Sequence, residues 1–146
     1  MHLDDILHIE RGSIYYWTEY HFNENEEDNR NKYWITLNCK VNDFPMNIVL
    51  PTSQVDKSYY DNPQNMRDTI VIEATESKYF HKKTLIDLKN IIHERQTIIE
   101  EAWEAGYLKY EGKLESYLFE RIEHAIQNAI TLSPMNKKEF LCEEIK

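Results

Sequence analysis

The chain has 146 residues, of which 41% are hydrophobic, so it is long enough to bury a core and too apolar for a disordered protein. Its 26 acidic and 17 basic side chains give a formal charge of −9, which argues against a protein that coats DNA through a broad cationic face. A small local basic site remains compatible with that charge. We expect one domain over residues 1–146.

The cysteines and the N-terminal segment favour a cytoplasmic protein. Cys39 and Cys142 are far apart and form no CxxC pair, so two reduced thiols are the simplest interpretation. The first ten residues carry acids where a signal peptide needs basic residues, and no apolar run approaches the length of a membrane span. We therefore expect cytoplasmic localisation and no membrane contact.

Strands dominate the predicted elements of the first half. Residues 13–20 are rich in aromatic and β-branched side chains, and a polar loop follows over residues 21–31. Residues 33–39 and 46–50 are two further strand candidates, joined by the turn signal VNDFP, so we expect them to pair as a hairpin. Pro51 ends the third strand because proline cannot donate to a β-ladder.

The middle of the chain is less regular. A long connection over residues 52–68, of a length that is uncommon unless functional, leads to a predicted strand over 69–73. Residues 77–83, with the sequence SKYFHKK, predict a basic and aromatic turn. Residues 84–88 fit either a strand or the start of a helix, because the apolar positions are compatible both with a strand and with the 3.6-residue period of a helix.

The last third predicts helices. A helix is expected over about 94–105, ended by Gly106. Residues 110–116 are interpreted as a turn into the last main helix, whose apolar residues recur every three or four positions over 114–130. A short tail helix is expected within 136–146. Strands first and helices last indicate an α+β fold, a small curved sheet closed by a terminal helix.

Polar side chains at the exit of the third strand form the first candidate site. Thr52, Ser53 and Gln54 follow Pro51 directly. Hydrogen-bond donors at the end of a rigid strand are well placed to hold an anion or a developing negative charge. The alternative is that Thr52 and Ser53 only form a turn, a role that hydroxyl residues often have.

The densest basic cluster lies in residues 77–83. Its basic members are Lys78, His81, Lys82 and Lys83. Because Tyr79 and Phe80 lie among them, the segment could bind single-stranded RNA by charge and stacking. The alternative is a solvated turn with two rings anchored in the core. The histidines and cysteines show no metal spacing, and no Gly-rich phosphate loop occurs, so we expect neither a metal nor another cofactor.

Five segments, taken in order over about residues 12–133, resemble the PemK/MazF family of toxins. They are RGSIYYW, KYWITLN, NIVLPTSQ, KKTLIDL and a terminal helix ending AIQNAITLS. The resemblance implies a small SH3-like β-barrel of curved antiparallel strands with a C-terminal helix, assembled as a homodimer. It also implies sequence-selective, metal-independent endoribonuclease activity on single-stranded RNA. The partner would be an antitoxin protein that wraps the surface with an acidic segment.

The resemblance also implies roles for individual residues. Thr52 matches the threonine that the family usually has at the strand exit, where it would donate to phosphoryl oxygens. Lys32 and Tyr33 stand where the family usually has arginine and proline, and Arg30 lies two residues earlier. Lys32 or Arg30 is therefore the expected phosphate cation, although lysine lacks the planar, bidentate grip of arginine.

A carboxylate is the implied general base. Asp87, in TLIDL, occupies the position of an acid proposed as a base in some members, but Leu85 stands where those members carry arginine. His21 is a further candidate for proton transfer. Each residue also has a structural alternative. Asp87 could only satisfy backbone amides, and His21 could be solvated. Lys32 and Arg30 could be counter-charges to the acids of the loop. Those loop acids are Glu26, Glu27 and Asp28.

A second class of function follows from the charge alone. An acidic, non-catalytic protein, such as an inhibitor or immunity protein for a basic nuclease, would use the −9 charge to steer its partner. The replacement of the family arginine by Lys32 also fits a degraded barrel that has kept only protein–protein binding.

Overall fold

The structure, a computed structural model, describes residues 7–18, 31–53 and 62–143. Over these residues the chain forms seven strands, three α-helices and a short 3-10 turn at Leu88–Asn90. The strands are β1 (Ser13–Trp17), β2 (Lys32–Thr36), β3 (Met46–Val49), β4 (Thr69–Ile72), β5 (Thr84–Asp87), β6 (Ile92–Glu94) and β7 (Leu108–Lys113). The helices are α1 (Gln96–Glu104), α2 (Ser116–Gln127) and α3 (Pro134–Phe140).

Within the described residues, five strands form one sheet in the order β6-β3-β2-β1-β7, and β4 pairs with β5 in a second sheet. All these pairings are antiparallel, and the predicted β2–β3 hairpin is confirmed, with Ile35 opposite Val49. The sheets are joined just beyond β3, where the backbones of Thr52 and Leu85 exchange hydrogen bonds of 2.9 and 2.8 Å. The exit of β3 is therefore fixed against β5.

The large sheet has a buried core on each face. Successive strand residues point to opposite faces, so Ile14 and Ile35 pack towards β4, β5 and α2. Tyr15 and Trp34 pack on the other side, with Ile99 of α1. This arrangement confirms the α+β class. In the described part of the chain β6 and β7 are the edges of the large sheet, so its strands form no closed barrel.

The ambiguous segment over residues 84–88 is a strand. All four residues of β5 are buried, and Ile86 lies opposite Ile70 of β4. The predicted helix near residues 94–105 is confirmed as α1, and Gly106 follows it with a φ of +81°, a conformation that suits glycine at a helix end. No helix in the described ranges combines the length and apolar character needed to cross a bilayer.

The interpretation of residues 110–116 as a turn is wrong. Leu108–Lys113 forms β7, which pairs with β1 so that Trp17 lies opposite Leu108. Of this strand only Leu108 is fully buried, because an edge strand exposes much of its surface. Because most of its residues are polar, β7 lacks the alternation of apolar and polar residues that predicts a strand.

The prediction of two reduced cysteines is also wrong. Cys39 and Cys142 form a disulfide between residues 103 positions apart. Helix α3 packs against the large sheet, where Asn47 Nδ2 donates to Glu139 Oε1 at 3.0 Å, and this brings Cys142 to the β2–β3 turn. The pairing depends on the docking of α3, which the spacing of the cysteines does not reveal.

Candidate functional site

A cavity of about 310 Å³ opens between β1, β2, the exit of β3 and the segment that precedes β5. Its aromatic lining residues are Tyr16, Tyr33, Tyr79 and Phe80, beside Pro51. Its hydroxyl, amide and basic lining residues are Thr52, Ser53, Thr84, Asn31, Lys32, His81 and Lys82. No aspartate or glutamate is among these described lining residues, although the chain carries a formal charge of −9.

The exit of β3 holds Thr52 at the cavity through its backbone. Pro51 is buried, and the next residue forms the two backbone hydrogen bonds with Leu85 that join the sheets. Thr52 therefore lies in a β-bridge, and it lines the cavity together with Ser53. A side chain held by two strands needs little rearrangement to present a hydroxyl to a ligand.

The aromatic lining connects β1 and β2 to the basic segment. Tyr16 lies opposite Tyr33, and their ring centroids are 4.8 Å apart. The Tyr33 ring also meets Phe80 edge to face at 5.7 Å. Lys32 begins β2 beside this aromatic row and lines the same cavity. The arrangement places Lys32 next to a continuous row of aromatic rings.

The Tyr33 hydroxyl is a hydrogen-bond donor at neutral pH. Burial raises the pKa of Tyr33, and the nearby Glu111 and Tyr16 raise it further. A phenol with a raised pKa stays protonated, so this group is not suited to act as a general base.

Residues 77–83, here called the basic wall, are held by contacts at both ends. Ser77 Oγ and the Lys78 backbone N–H donate to the two carboxylate oxygens of Glu115, at 2.8 and 2.9 Å. At the other end Thr84 Oγ1 donates to the Lys82 carbonyl oxygen at 2.9 Å. The wall is therefore a fixed surface of the cavity.

The basic wall contains features of both interpretations offered for it. Phe80 is only 6% exposed and packs in the core, as the structural alternative predicts. His81 and Lys82 are exposed and line the cavity, as expected for a binding surface. The exposed Lys78 and Lys83 do not line it.

Asp87 lies at the far end of β5 from Thr84 and does not line the cavity. Its buried carboxylate forms an ion pair with Lys89 Nζ at 2.8 Å. It also accepts hydrogen bonds from the Lys89 backbone N–H at 2.9 Å and from Asn90 Nδ2 at 3.2 Å. Thr52 therefore lines the cavity and Asp87 does not, and the contacts of Asp87 support the alternative in which it satisfies backbone and side-chain donors.

Three predicted site residues, Arg30, Gln54 and His21, lie outside the described residues. Among the described ones, Thr52, Ser53, Lys32, His81 and Lys82 come together.

Sequence reasoning missed Tyr16 and Thr84 as lining residues. Strand alternation places Tyr16 on the face opposite Tyr15, but that pattern does not say which face borders a cavity. Thr84 reaches the site only because β5 is joined to residue 52.

In the part of the chain that the structure describes, no group of three or more His, Cys, Asp or Glu side chains is placed to hold a metal ion. No family model matches the sequence, and no curated protein matches it.

Proposed function

We propose that the protein is an endoribonuclease that binds single-stranded RNA in the cavity between β2, the exit of β3 and the basic wall. The observation that carries this proposal is the cavity lining, which combines lysines, a histidine and hydroxyls with aromatic rings and contains no described acid. Lysines match the phosphates of RNA, and aromatic rings match its unstacked bases. The resemblance of five sequence segments to the PemK/MazF toxins supports the same function.

The proposed reaction uses the RNA as its own nucleophile. The 2′-hydroxyl oxygen attacks the adjacent phosphorus, the bond to the 5′-oxygen breaks, and the products carry a 2′,3′-cyclic phosphate and a 5′-hydroxyl. A base takes the proton of the 2′-hydroxyl, and an acid protonates the departing 5′-oxygen. Thr52 and Ser53 would donate to the phosphoryl oxygens, and Lys32 would balance the negative charge that grows there.

His81 is the proposed proton-transfer residue. It lines the cavity, whereas Asp87 lies at the other end of β5 in an ion pair with Lys89. An imidazole ring has one nitrogen that can accept a proton and one that can donate it, as proton transfer to and from RNA oxygens requires. We therefore propose His81, in place of Asp87, as the residue that takes the proton of the 2′-hydroxyl.

The finer fold and the biological setting belong to the same proposal. We interpret the two joined sheets with α2 as an opened, SH3-like barrel, an interpretation supported by the bridge between Thr52 and Leu85. The protein would act as a homodimeric toxin of a toxin–antitoxin pair, in the cytoplasm because its RNA substrate is there, and its Cys39–Cys142 disulfide would be an exception among cytoplasmic proteins. An antitoxin with an acidic segment would complement the basic lining of the cavity.

The test is cleavage of single-stranded RNA oligonucleotides by the purified protein. We expect products with a 2′,3′-cyclic phosphate, no cleavage where the attacking ribose lacks its 2′-hydroxyl, and a rate about 10²- to 10³-fold lower for Thr52→Val. Thr97→Val is the matched control, because Thr97 is exposed on α1 and does not line the cavity. Intact RNA with the folded wild-type protein would overturn the proposal and favour the acidic, non-catalytic binding protein.

A further inference from the structure

An irregularity in β7 lies close to the aromatic part of the cavity. Ile14 pairs with Gly112 and Tyr15 with Tyr110, so Glu111 is an extra residue without a partner on β1. Such a bulge bends the strand and changes the direction of its side chains. Gly112, directly after the extra residue, has a φ of +143°, a conformation that side-chain-bearing residues rarely adopt.

Tyr79 occupies the space that a side chain at Gly112 would need. A methyl group on Gly112 would overlap the Tyr79 hydroxyl oxygen and would lie 3.0 Å from the ring carbons Cε1 and Cζ. These distances are too short for carbon atoms in van der Waals contact. Tyr79 therefore fits against β7 only because residue 112 is glycine.

The backbone of Tyr79 is fixed separately from its ring. Its backbone N–H donates to Ser77 Oγ at 3.2 Å, and Ser77 Oγ donates to Glu115. The ring itself is half-buried, lines the cavity, and has Lys78 Nζ 5.2 Å from its centroid. A side chain at position 112 would therefore displace the Tyr79 ring, while the hydrogen bonds that hold the backbone of the basic wall would remain.

We propose that Gly112 is a positioning residue of the cavity, because its missing side chain lets Tyr79 lie against β7 as a stacking surface for an unpaired RNA base. This inference rests on the proposed ribonuclease function. It names the part of the substrate that the aromatic side of the cavity receives: a base rather than a phosphate. Since every base has an aromatic face, stacking on Tyr79 accepts any of them.

Two glycine variants, both at positions with a positive φ, test the inference. Gly106 also has a positive φ, +81°, but a methyl group there would have no atom within 4 Å. We expect Gly112→Ala to raise KM for a single-stranded RNA about tenfold, as loss of one stacked base would, with kcat retained. Gly106→Ala should keep the wild-type KM.

A second-site variant separates positioning from general damage. Tyr79→Phe removes the hydroxyl that the new methyl group overlaps. The double variant Gly112→Ala/Tyr79→Phe should therefore have a KM between those of Gly112→Ala and the wild type. Tyr79→Leu, which leaves Gly112 unchanged, should raise KM as Gly112→Ala does, and it serves as the test if Gly112→Ala does not fold. Thermal unfolding of each variant identifies the folded ones.

The outcomes distinguish the two proposals. Equal KM values for folded Gly112→Ala and Gly106→Ala, or a wild-type KM for Tyr79→Leu, would overturn the positioning role while cleavage by the wild-type protein upholds the ribonuclease function. If the wild-type protein neither binds nor cleaves RNA, the proposed function fails first and this inference fails with it.

Discussion

The charged side chains near the two ends of strand β5 have different surroundings. At the end of the strand, the buried Asp87 is paired with Lys89 at 2.8 Å, and we call this region the closed end. At the start, Thr84 borders a cavity whose described lining includes Lys32 and Lys82 and no acid. The ion pair at the closed end has both of its charges in the fold, whereas basic side chains that line a cavity attract an anionic ligand. Substitutions at the two ends should therefore have different effects.

The closed end also anchors the connection before β4. Lys89 Nζ donates to the Asn65 carbonyl oxygen at 2.7 Å and to Thr69 Oγ1 at 3.2 Å. The Leu88 backbone N–H donates to the Asp68 carbonyl oxygen at 2.9 Å. One lysine thus joins β5, β4 and the connection, and its loss should lower stability rather than activity.

The largest effect is expected at the closed end. Lys89→Met should lower the free energy of unfolding by about 3 kcal/mol, because the buried Asp87 carboxylate would lose the positive charge of Lys89. Cleavage per folded molecule should be unchanged. Urea denaturation measures the loss, and Lys138→Met, at an exposed lysine of α3, is the control. A Lys89→Met protein of wild-type stability would contradict the comparison.

A smaller effect, on binding alone, is expected at the cavity end. Lys82→Gln should weaken RNA binding several-fold and reduce the salt dependence of the binding constant by about 0.7 in log–log slope, because one phosphate contact is lost. The neighbouring Lys83 is exposed but does not line the cavity, so Lys83→Gln should bind as the wild type does. Equal losses in both variants would indicate a diffuse charge effect instead of a site.

The smallest effect concerns acid stability at the closed end. Partial burial acts to raise the pKa of Asp68, but hydrogen bonds from Thr131 Oγ1 and from the backbone N–H groups of Thr131 and Ile130, with the nearby Lys89 charge, outweigh it and lower the pKa. A lowered pKa in the folded state adds stability above the ordinary value of 3.8, and that stability is lost as the pH falls through the folded value. Asp68→Asn should therefore lower Tm at pH 7, and the difference from wild type should shrink near pH 3. A Tm difference independent of pH would contradict this assignment.

Local signals in the sequence were sufficient for much of the fold. The β2–β3 hairpin, α1 and its terminal Gly106 each depend on neighbouring residues, and each was predicted. Strand β7 was missed because an exposed edge carries polar side chains, and the disulfide was missed because it requires α3 to dock first. The features that the sequence did not predict are thus those that depend on distant parts of the chain.

The candidate site likewise combines residues that a local pattern predicts with placements that depend on distant parts of the chain. The sequence predicts Thr52 as a site residue because a hydroxyl after a proline-terminated strand is a local pattern, and in the structure Thr52 lines the same cavity as Lys32 and Lys82. The resemblance assigns Asp87 to the same place, yet Asp87 lies at the end of β5, beyond the residue that bridges to Thr52, and does not line the cavity. A motif fixes the order of residues but not their separation in space.

The location of bound RNA on the protein tests the proposed cavity most directly. A single-stranded oligonucleotide with 2′-O-methyl groups cannot be cleaved through its 2′-oxygen, so it can be titrated into the labelled protein and followed by backbone amide chemical shifts. RNA bound in the cavity should cause saturable shifts at Lys32, Thr52 and His81, with little change at Asp68 and Lys89. Shifts confined to the closed end, or none at the cavity at saturating RNA, would contradict binding in the cavity.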